Sequence, residues 1–341
     1  MKQLLTASRM ITLLTCQRKH FWHYEIGLRP AAEPDYFRFG TAWHTGMQAR
    51  WQHKPYEEAL ADALPAGVQL DEIQAATIAG LLAGYYTHYA NDNLVKEVHP
   101  EVAFRHAIPG SLSFDAAGKI DGLAVLSDDR LAILEHKTTG DDISSESEYW
   151  LRLRFNMQVY QYVVAARALG WNVELALYDV TRKPSIAPKE VSCLDPQGKK
   201  IVLGQDGQRV FKSNGEPRES SDKEKGYVLQ TRTETPDEFN SRLVLDTQVR
   251  PEFYFARREV AILESDLAEF TTQRLLLSRQ ILACRQTERK TQHRAQAWPR
   301  NANSDCHFCP YASFCLQNIT PNPAQPPAGF TIGDPHSELT K

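Results

Sequence analysis

The chain has 341 residues, of which 42% are hydrophobic, so it can bury the core of one large domain or two smaller ones. Its formal net charge of −3 argues against a protein that coats nucleic acid through overall positive charge, although positive charge can still be confined to one groove. The N-terminus lacks a signal-peptide pattern and no apolar stretch approaches roughly 18 residues, so we expect a cytoplasmic protein without membrane contact.

Residues 1–98 are predicted to form an N-terminal helical region that contains Cys16 and His44. Its apolar residues recur at helical spacing, and a turn at Pro65 interrupts them. The predicted helices cover residues 8–25, 39–64 and 71–92.

The apolar pattern changes period over residues 99–185 and predicts an α/β core. The order of elements is a three-strand meander, a helix that ends at Gly170, and a further strand. With the helices before it, this core reads as helix, three strands, helix, strand. The predicted strands cover 101–108, 119–126, 131–137 and 173–180, and the helix covers 149–169.

The remaining chain divides into three parts by composition. Residues 186–255 form a polar insertion with short hairpins, 256–320 a C-terminal region with a long charged helix at 256–294, and 321–341 a Pro-rich tail that we expect to be disordered. Seven Arg or Lys residues and one acid lie between positions 271 and 300. This segment is either a phosphate-contacting surface or a solvated helical face.

Three residues of the predicted meander carry chemistry. Asp121 lies in one strand, and Glu135 and Lys137 lie two apart in the next, so both project to the same face while His136 points away. Two converging carboxylates would bind a hard cation such as Mg²⁺ or Mn²⁺, and a lysine beside them could orient water or stabilise a phosphate under attack. Glu-x-Lys alone is common as an exposed ion-pairing stripe.

The segments IDGLAVL and ILEHKTT, followed by a helix with Gln158 and Tyr162, resemble the PD-(D/E)XK nuclease core, which has a restriction-endonuclease-like fold. The Gly40 and His44 context in FGTAWHTG is similar to the RecB-like branch of that superfamily. Ile120 stands where the family usually has a proline before the first acid.

The resemblance implies a metal-dependent deoxyribonuclease, with an exonuclease in recombination, repair or phage DNA processing as the best match and a helicase or recombination protein as a possible partner. Two alternatives are an iron–sulfur or zinc DNA-binding subunit whose nuclease centre is vestigial and an RNA-directed or structure-specific endonuclease that uses the same centre. Lys137 would act on the nucleophile or the transition state. Gln158 and Tyr162 would orient this lysine, the metal-bound water or the substrate backbone. Glu101 is either an extra metal ligand or a strand-edge charge. The implied metal ligands are His44, Asp121, Glu135 and the backbone carbonyl of His136.

Four cysteines form a second candidate metal site. Cys306, Cys309 and Cys315 follow a C-x2-C-x5-C spacing, and Cys16 could supply a fourth ligand for tetrahedral zinc or an iron–sulfur cluster. This layout resembles the iron–sulfur subgroup of RecB-like nucleases, including AddB-type and CRISPR-adaptation nucleases, which implies a [4Fe–4S] cluster that ties the chain ends together. Zn²⁺, with Cys16 or His307 as the fourth ligand, is the alternative.

Overall fold

The structure is a computed structural model that describes residues 2–32, 35–66 and 69–339. Its N-terminal part consists mainly of helices, which agrees with the spacing of apolar residues there. The elements in chain order are β1 (Gln3–Leu5), α1 (Ala7–Thr15), α2 (Gln17–His20), a π-helix (Phe21–Ile26), β2 (Leu28–Pro30), α3 (Asp35–Trp51), α4 (Tyr56–Ala63) and α5 (Glu72–His88).

Two of the predicted N-terminal helices are interrupted. The helix expected over 8–25 begins after Thr6, whose side chain accepts a hydrogen bond from the Arg9 N–H, but it breaks at Cys16, where the backbone is extended. The helix expected over 39–64 breaks before Pro55, because proline cannot donate the backbone hydrogen bond that a helix interior requires.

The central part contains the predicted meander, helix and strand, so the expected mixed α/β architecture is confirmed. The expected single helix is split, because the Asn156 side chain accepts from the Gln158 N–H and starts a new helix. Gly170, with φ of 94°, follows its end. The elements are β3 (Val95–Ala107), β4 (Phe114–Leu126), β5 (Leu131–Thr139), α6 (Tyr149–Arg154), α7 (Met157–Ala168) and β6 (Leu175–Arg182).

The C-terminal part differs from the prediction at two places. The insertion has the expected short hairpins but also a helix over 236–249, and the long helix expected over 256–294 is preceded by a strand at 255–261. The elements are β7 (Glu190–Ser192), β8 (Val202–Leu203), β9 (Val228–Leu229), β10 (Thr231–Thr233), α8 (Pro236–Val249), α9 (Pro251–Tyr254), β11 (Phe255–Ala261), α10 (Glu264–Thr291), α11 (Arg294–Ala297), α12 (Ala312–Gln317) and β12 (Phe330–Ile332).

Within the described residues, six strands form the central sheet. Its order is β1-β4-β5-β6-β11, and β3 pairs with β4. β5 and β6 are parallel, as are β1 and β4, whereas the meander and the β6–β11 pair are antiparallel. Apolar residues of α1, α7 and α10 pack on one face, and α3 covers the other near Trp51. The sheet therefore lies between two helical layers.

The Pro-rich tail, which we expected to be disordered, contributes β12, which pairs antiparallel with β2. Tyr311 stacks on Phe330 of this strand and donates a hydrogen bond to the Leu28 carbonyl. The expectation is therefore wrong for 330–332, while the last two residues lie outside the described chain. None of the described helices combines the length and the apolar character needed to cross a bilayer.

A prediction follows from the contact between α5 and α8. A Cβ added at Gly84 would overlap the Thr247 side chain, whereas one added at Gly40 in α3 would meet no heavy atom within 4 Å. Gly84→Ala should lower the free energy of unfolding by about 1–3 kcal/mol through overpacking. Gly40→Ala should be neutral or stabilising by up to about 1 kcal/mol. Urea denaturation checks both, and equal effects would show that the α5–α8 contact is not tight.

Candidate active site

The candidate site lies where two strands of the meander separate. Gly122–Val125 of β4 pair with Leu131–Leu134 of β5. Beyond Leu134, β5 no longer pairs with β4 but stays paired with β6 on its other edge. Asp121 lies immediately before Gly122, the first residue of β4 that pairs with β5. Its Oδ2 accepts a hydrogen bond of 3.1 Å from the backbone N–H of His136. We call this opening the fork; it places Asp121 against the segment that carries Glu135 and Lys137.

Helix α7 borders the fork from one face of the sheet. Lys137 Nζ donates to Glu135 Oε1 at 2.5 Å and to Gln158 Oε1 at 3.1 Å. Gln158 Nε2 in turn donates to the Tyr162 hydroxyl at 2.8 Å, one helical turn further on. Burial raises the pKa of Tyr162 well above its ordinary value, so this hydroxyl stays protonated. Gln158 and Tyr162 therefore position the Lys137 ammonium through a chain of two hydrogen bonds.

Helix α3 borders the fork from the other side. His44 Nδ1 lies 3.3 Å from Asp121 Oδ2. Burial, followed by the charges of His136 and Lys137, lowers the pKa of His44 to about 4. The imidazole is therefore neutral near neutral pH, which is the state in which histidine binds metal ions.

The two carboxyl groups of the fork are desolvated. Glu135 is completely buried, and its Oε2 has no hydrogen-bond partner among the described residues. Burial raises the pKa of Glu135 despite the Lys137 ammonium, and the nearby Asp121 raises it further. Burial also raises the pKa of Asp121. Burial alone would lower the pKa of Lys137, but contact with Glu135 raises it above its ordinary value. The site is short of positive charge, and a bound cation would supply it.

The described residues contain no group of three or more His, Cys, Asp or Glu side chains arranged to hold a metal ion. At the fork these donors form pairs instead, with His44 against Asp121 and Lys137 against Glu135. The unpaired Oε2 of Glu135 and the oxygen-rich donor set nevertheless suit a hard divalent cation.

The model of the PD-(D/E)XK nuclease superfamily matches residues 4–316. The chain belongs to this superfamily. Membership suggests a nuclease and implies that a metal ion takes part in catalysis. No curated protein matches the chain. A solved structure described as the crystal structure of SSO0001 is 10% identical, with 94% of this chain and 89% of that chain covered and a TM-score of 0.33, a likeness too low to carry an argument.

In this member of the superfamily, the His136 side chain projects to the face of the sheet opposite Glu135 and Lys137, as predicted, and its ring centroid lies 6.1 Å from that of His44. His136 Nε2 accepts from Trp51 Nε1 at 3.0 Å, and its Nδ1 lies 3.4 Å from Asp179 Oδ2. The ring is buried. Because the His136 N–H also binds Asp121, this packing fixes the peptide that joins the two parts of the site.

Sequence reasoning missed the charged group behind His136. Asp179 of β6 is buried, accepts a hydrogen bond from the Tyr85 hydroxyl and lies 3.5 Å from Arg257 Nε. Burial alone would raise the pKa of Asp179, but Arg257 and His136 hold it at about 2. An acidic residue in a strand otherwise rich in apolar residues was the available signal. Its partner could not be identified, because Arg257 lies in a segment predicted to be helical.

Glu101 is paired with Lys119 of the neighbouring strand. Its backbone is in the left-handed region, with φ of 57°. The Glu101 charge adds to the raised pKa of Asp121, so it lies near the fork. This position is compatible with either role considered for it.

The fold brings Cys16 close to the three C-terminal cysteines. The Asn301 backbone N–H donates to Cys16 Sγ at 3.4 Å. Burial raises the pKa of Cys309, and the charges of Cys16 and Cys306 raise it further. Cys315 is affected in the same way by Cys16 and Cys309. All are free thiols, and among the described residues they do not form a metal-holding group.

Burial of the Asp121 carboxylate predicts that Asp121→Asn stabilises the folded protein when no metal ion is bound. Because the pKa of Asp121 is raised in the folded state, its ionised form destabilises the protein above that pKa, and the penalty disappears as pH falls through it. In EDTA at neutral pH, Asp121→Asn should therefore raise the melting temperature, with a smaller gain in acid.

Asp128→Asn is the matched control, because this exposed carboxylate has its pKa lowered by a hydrogen bond from Arg130 and should gain nothing on neutralisation. Mg²⁺ should raise the melting temperature of the wild type more than that of Asp121→Asn. Scanning calorimetry with and without Mg²⁺ measures both effects, and a lower melting temperature for Asp121→Asn in EDTA would contradict the account.

Proposed function

We propose that this chain is a metal-dependent deoxyribonuclease of the RecB-like branch that hydrolyses phosphodiester bonds at the fork. The observation that carries the proposal is the contact of Asp121 with the peptide that bears Glu135 and Lys137, together with the desolvation of both carboxylates. Two buried acids and one ammonium at the point where a sheet opens form a site for a cation and a phosphate.

The group that we propose to hold Mg²⁺ or Mn²⁺ consists of His44, Asp121, Glu135 and the backbone carbonyl of His136. Oxygen donors from carboxylates and a carbonyl suit these hard cations, which keep further positions for water and substrate phosphate. A cation bound there supplies Lewis-acid polarisation of the phosphate and activation of the attacking water. Glu101 would lie at the margin of this group.

Lys137 is proposed to act as a fixed positive charge. Contact with Glu135 raises the pKa of Lys137, so its ammonium is protonated near neutral pH. Its contacts with Glu135 and Gln158 aim the ammonium toward the fork, where it would orient the water or offset charge that develops on the phosphate. Gln158 and Tyr162 would keep it in place through their own hydrogen bond.

Exonuclease action on DNA ends, in a recombination, repair or phage DNA-processing setting and with a helicase or recombination protein as partner, is the form that we propose. It rests on the resemblance of the His44 and Gln158–Tyr162 motifs to the RecB-like branch. A structure-specific endonuclease would use the same site. Two contacts argue against the vestigial alternative: Asp121 accepts a hydrogen bond from the N–H of His136, between the two motif residues, and Lys137 donates to Glu135.

Lys137→Met tests the mechanism while keeping the length of the buried aliphatic chain. We expect a loss in kcat of about 10²–10³-fold, the usual cost of removing one group that stabilises transition-state charge. The measurement is release of label from end-labelled linear DNA and from closed circular DNA with Mg²⁺ or Mn²⁺, after circular dichroism has shown that the variant is folded.

Lys96→Met is the control, because Lys96 pairs with Asp129 at the surface. Cleavage of linear DNA alone agrees with an exonuclease, whereas cleavage of closed circles would favour the endonuclease. Unchanged activity in Lys137→Met would remove the proposed mechanism. Wild-type protein without activity on either DNA would favour the vestigial alternative.

We further propose that Cys16, Cys306, Cys309 and Cys315 hold a [4Fe–4S] cluster, with Zn²⁺ as the alternative. Support comes from the proximity of Cys16 to a C-x2-C-x5-C segment that lies about 290 residues away in the chain. The role would be structural, because a cluster at this position joins the two ends of the chain.

Anaerobic purification followed by iron, sulfide and zinc analysis tests the cysteine site. We expect a brown protein with iron and sulfide, and Cys16→Ser should lose most of the metal and lower the melting temperature. Cys193→Ser should change neither, because Cys193 lies in the insertion. A colourless protein that contains zinc would show that Zn²⁺ occupies the site. A stable wild-type protein without metal would exclude both the cluster and Zn²⁺.

A further inference from the structure

Two open cavities of about 880 Å³ each lie along the C-terminal half of α10 and share Gln3, Arg285 and Arg289. Neither belongs to the fork. We call the first cavity the basic pocket, after the charged side chains that line it. These are Arg9, Glu25, Arg285, Glu288, Arg289 and Arg294.

The basic pocket has more guanidinium groups than carboxylates. Glu25 pairs with both Arg9, at 2.8 Å, and Arg285, at 2.7 Å. Glu288 pairs with Arg294 at 3.2 Å. Arg289 forms no ion pair with any residue that the structure describes. Four positive side chains therefore face two negative ones, and the cavity has an excess of positive charge that suits an anionic ligand.

A buried arginine, Arg9, lines the interior of the pocket. The Arg9 side chain is 3% exposed and donates to the Leu4 carbonyl, to Glu25 and to His20 Nε2. Burial lowers the pKa of Arg9, and the nearby Arg285 charge lowers it further. Like charges this close repel each other, so an anion beside Arg285 and Arg289 would be bound favourably.

The sheet register sets the distance between the basic pocket and the fork. Gln3, which lines the pocket, pairs with Phe114 of β4, and Asp121 lies seven residues further along the same strand. At about 3.3 Å per residue the two places are roughly 23 Å apart. In duplex DNA each strand rises about 3.4 Å per nucleotide along the helix axis, so a duplex covers this distance with about seven base pairs.

We propose that the basic pocket binds backbone phosphates of duplex DNA, about seven base pairs from the bond that is cleaved at the fork. The inference rests on the proposed nuclease function and gives it a second, distant contact with its substrate. Guanidinium groups bind phosphate oxygens through paired hydrogen bonds. The adjoining second cavity, which adds Lys2, provides room for more than one phosphate.

Arg289→Gln and Arg279→Gln form a matched pair for testing the pocket. Both residues are exposed on α10 and each substitution removes one positive charge, but Arg279 lines neither cavity. Fluorescence anisotropy with a labelled duplex of about 20 base pairs, long enough to cover the span, measures binding. EDTA prevents cleavage during the measurement.

We expect Arg289→Gln to weaken binding several-fold and to reduce the slope of log affinity against log salt by about one, as loss of one phosphate contact does. Arg279→Gln should have little effect. An added activity assay should show an increase in KM for Arg289→Gln and little change for Arg279→Gln.

Equal losses in the two variants would show general surface charge and overturn the proposal, as would unchanged binding in Arg289→Gln. An effect of Arg289→Gln that requires a terminal phosphate on the oligonucleotide would assign the pocket to strand ends instead of the backbone. The binding assay does not depend on cleavage. A wild type that binds through Arg289 but cleaves no DNA would therefore contradict the proposed function and leave the pocket intact.

Discussion

The hydrogen bond from the His136 N–H to Asp121 joins β4 and β5 at the point where their backbone pairing ends. β5 continues past Leu134 without pairing with β4, so this edge of β4 is open just before Gly122, and the Asp121 side chain takes the position of the next strand contact. The carboxylates beside this opening are covered by protein and poorly solvated. The geometry that opens the sheet therefore also buries two carboxylates, and a bound cation would offset their charge.

The fork is supported from both faces of the sheet. Helix α3 supplies His44, and α7 supplies Gln158, which holds Lys137. Behind the fork, Asp179 and Trp51 fix the His136 ring, so the peptide between the two motif residues cannot rotate freely. A site of this kind is rigid because its backbone is held by buried polar contacts that are satisfied only in one arrangement.

The two ends of the chain meet on the core instead of extending from it. β1 pairs with β4, β12 pairs with β2, and α10 packs on the same face of the sheet as α1. This arrangement places Cys16 beside the C-terminal cysteines and forms the basic pocket between β1 and α10. The superfamily match over residues 4–316 is consistent with a core to which both ends contribute.

The sequence by itself determined the meander, the helix and the following strand, because their apolar periods are local and their ends carry signals such as Gly170. It also placed Asp121 and the Glu135–Lys137 pair on adjacent strands. Only the tertiary structure decided that β11 is a strand, because Arg257 is buried by pairing with Asp179 and so hides the apolar alternation. Three other features depend on residues that are distant in the chain, which no local pattern specifies. They are the raised pKa values of Asp121 and Glu135, the contacts of Glu25 with two arginines, and the pairing of β12 with β2.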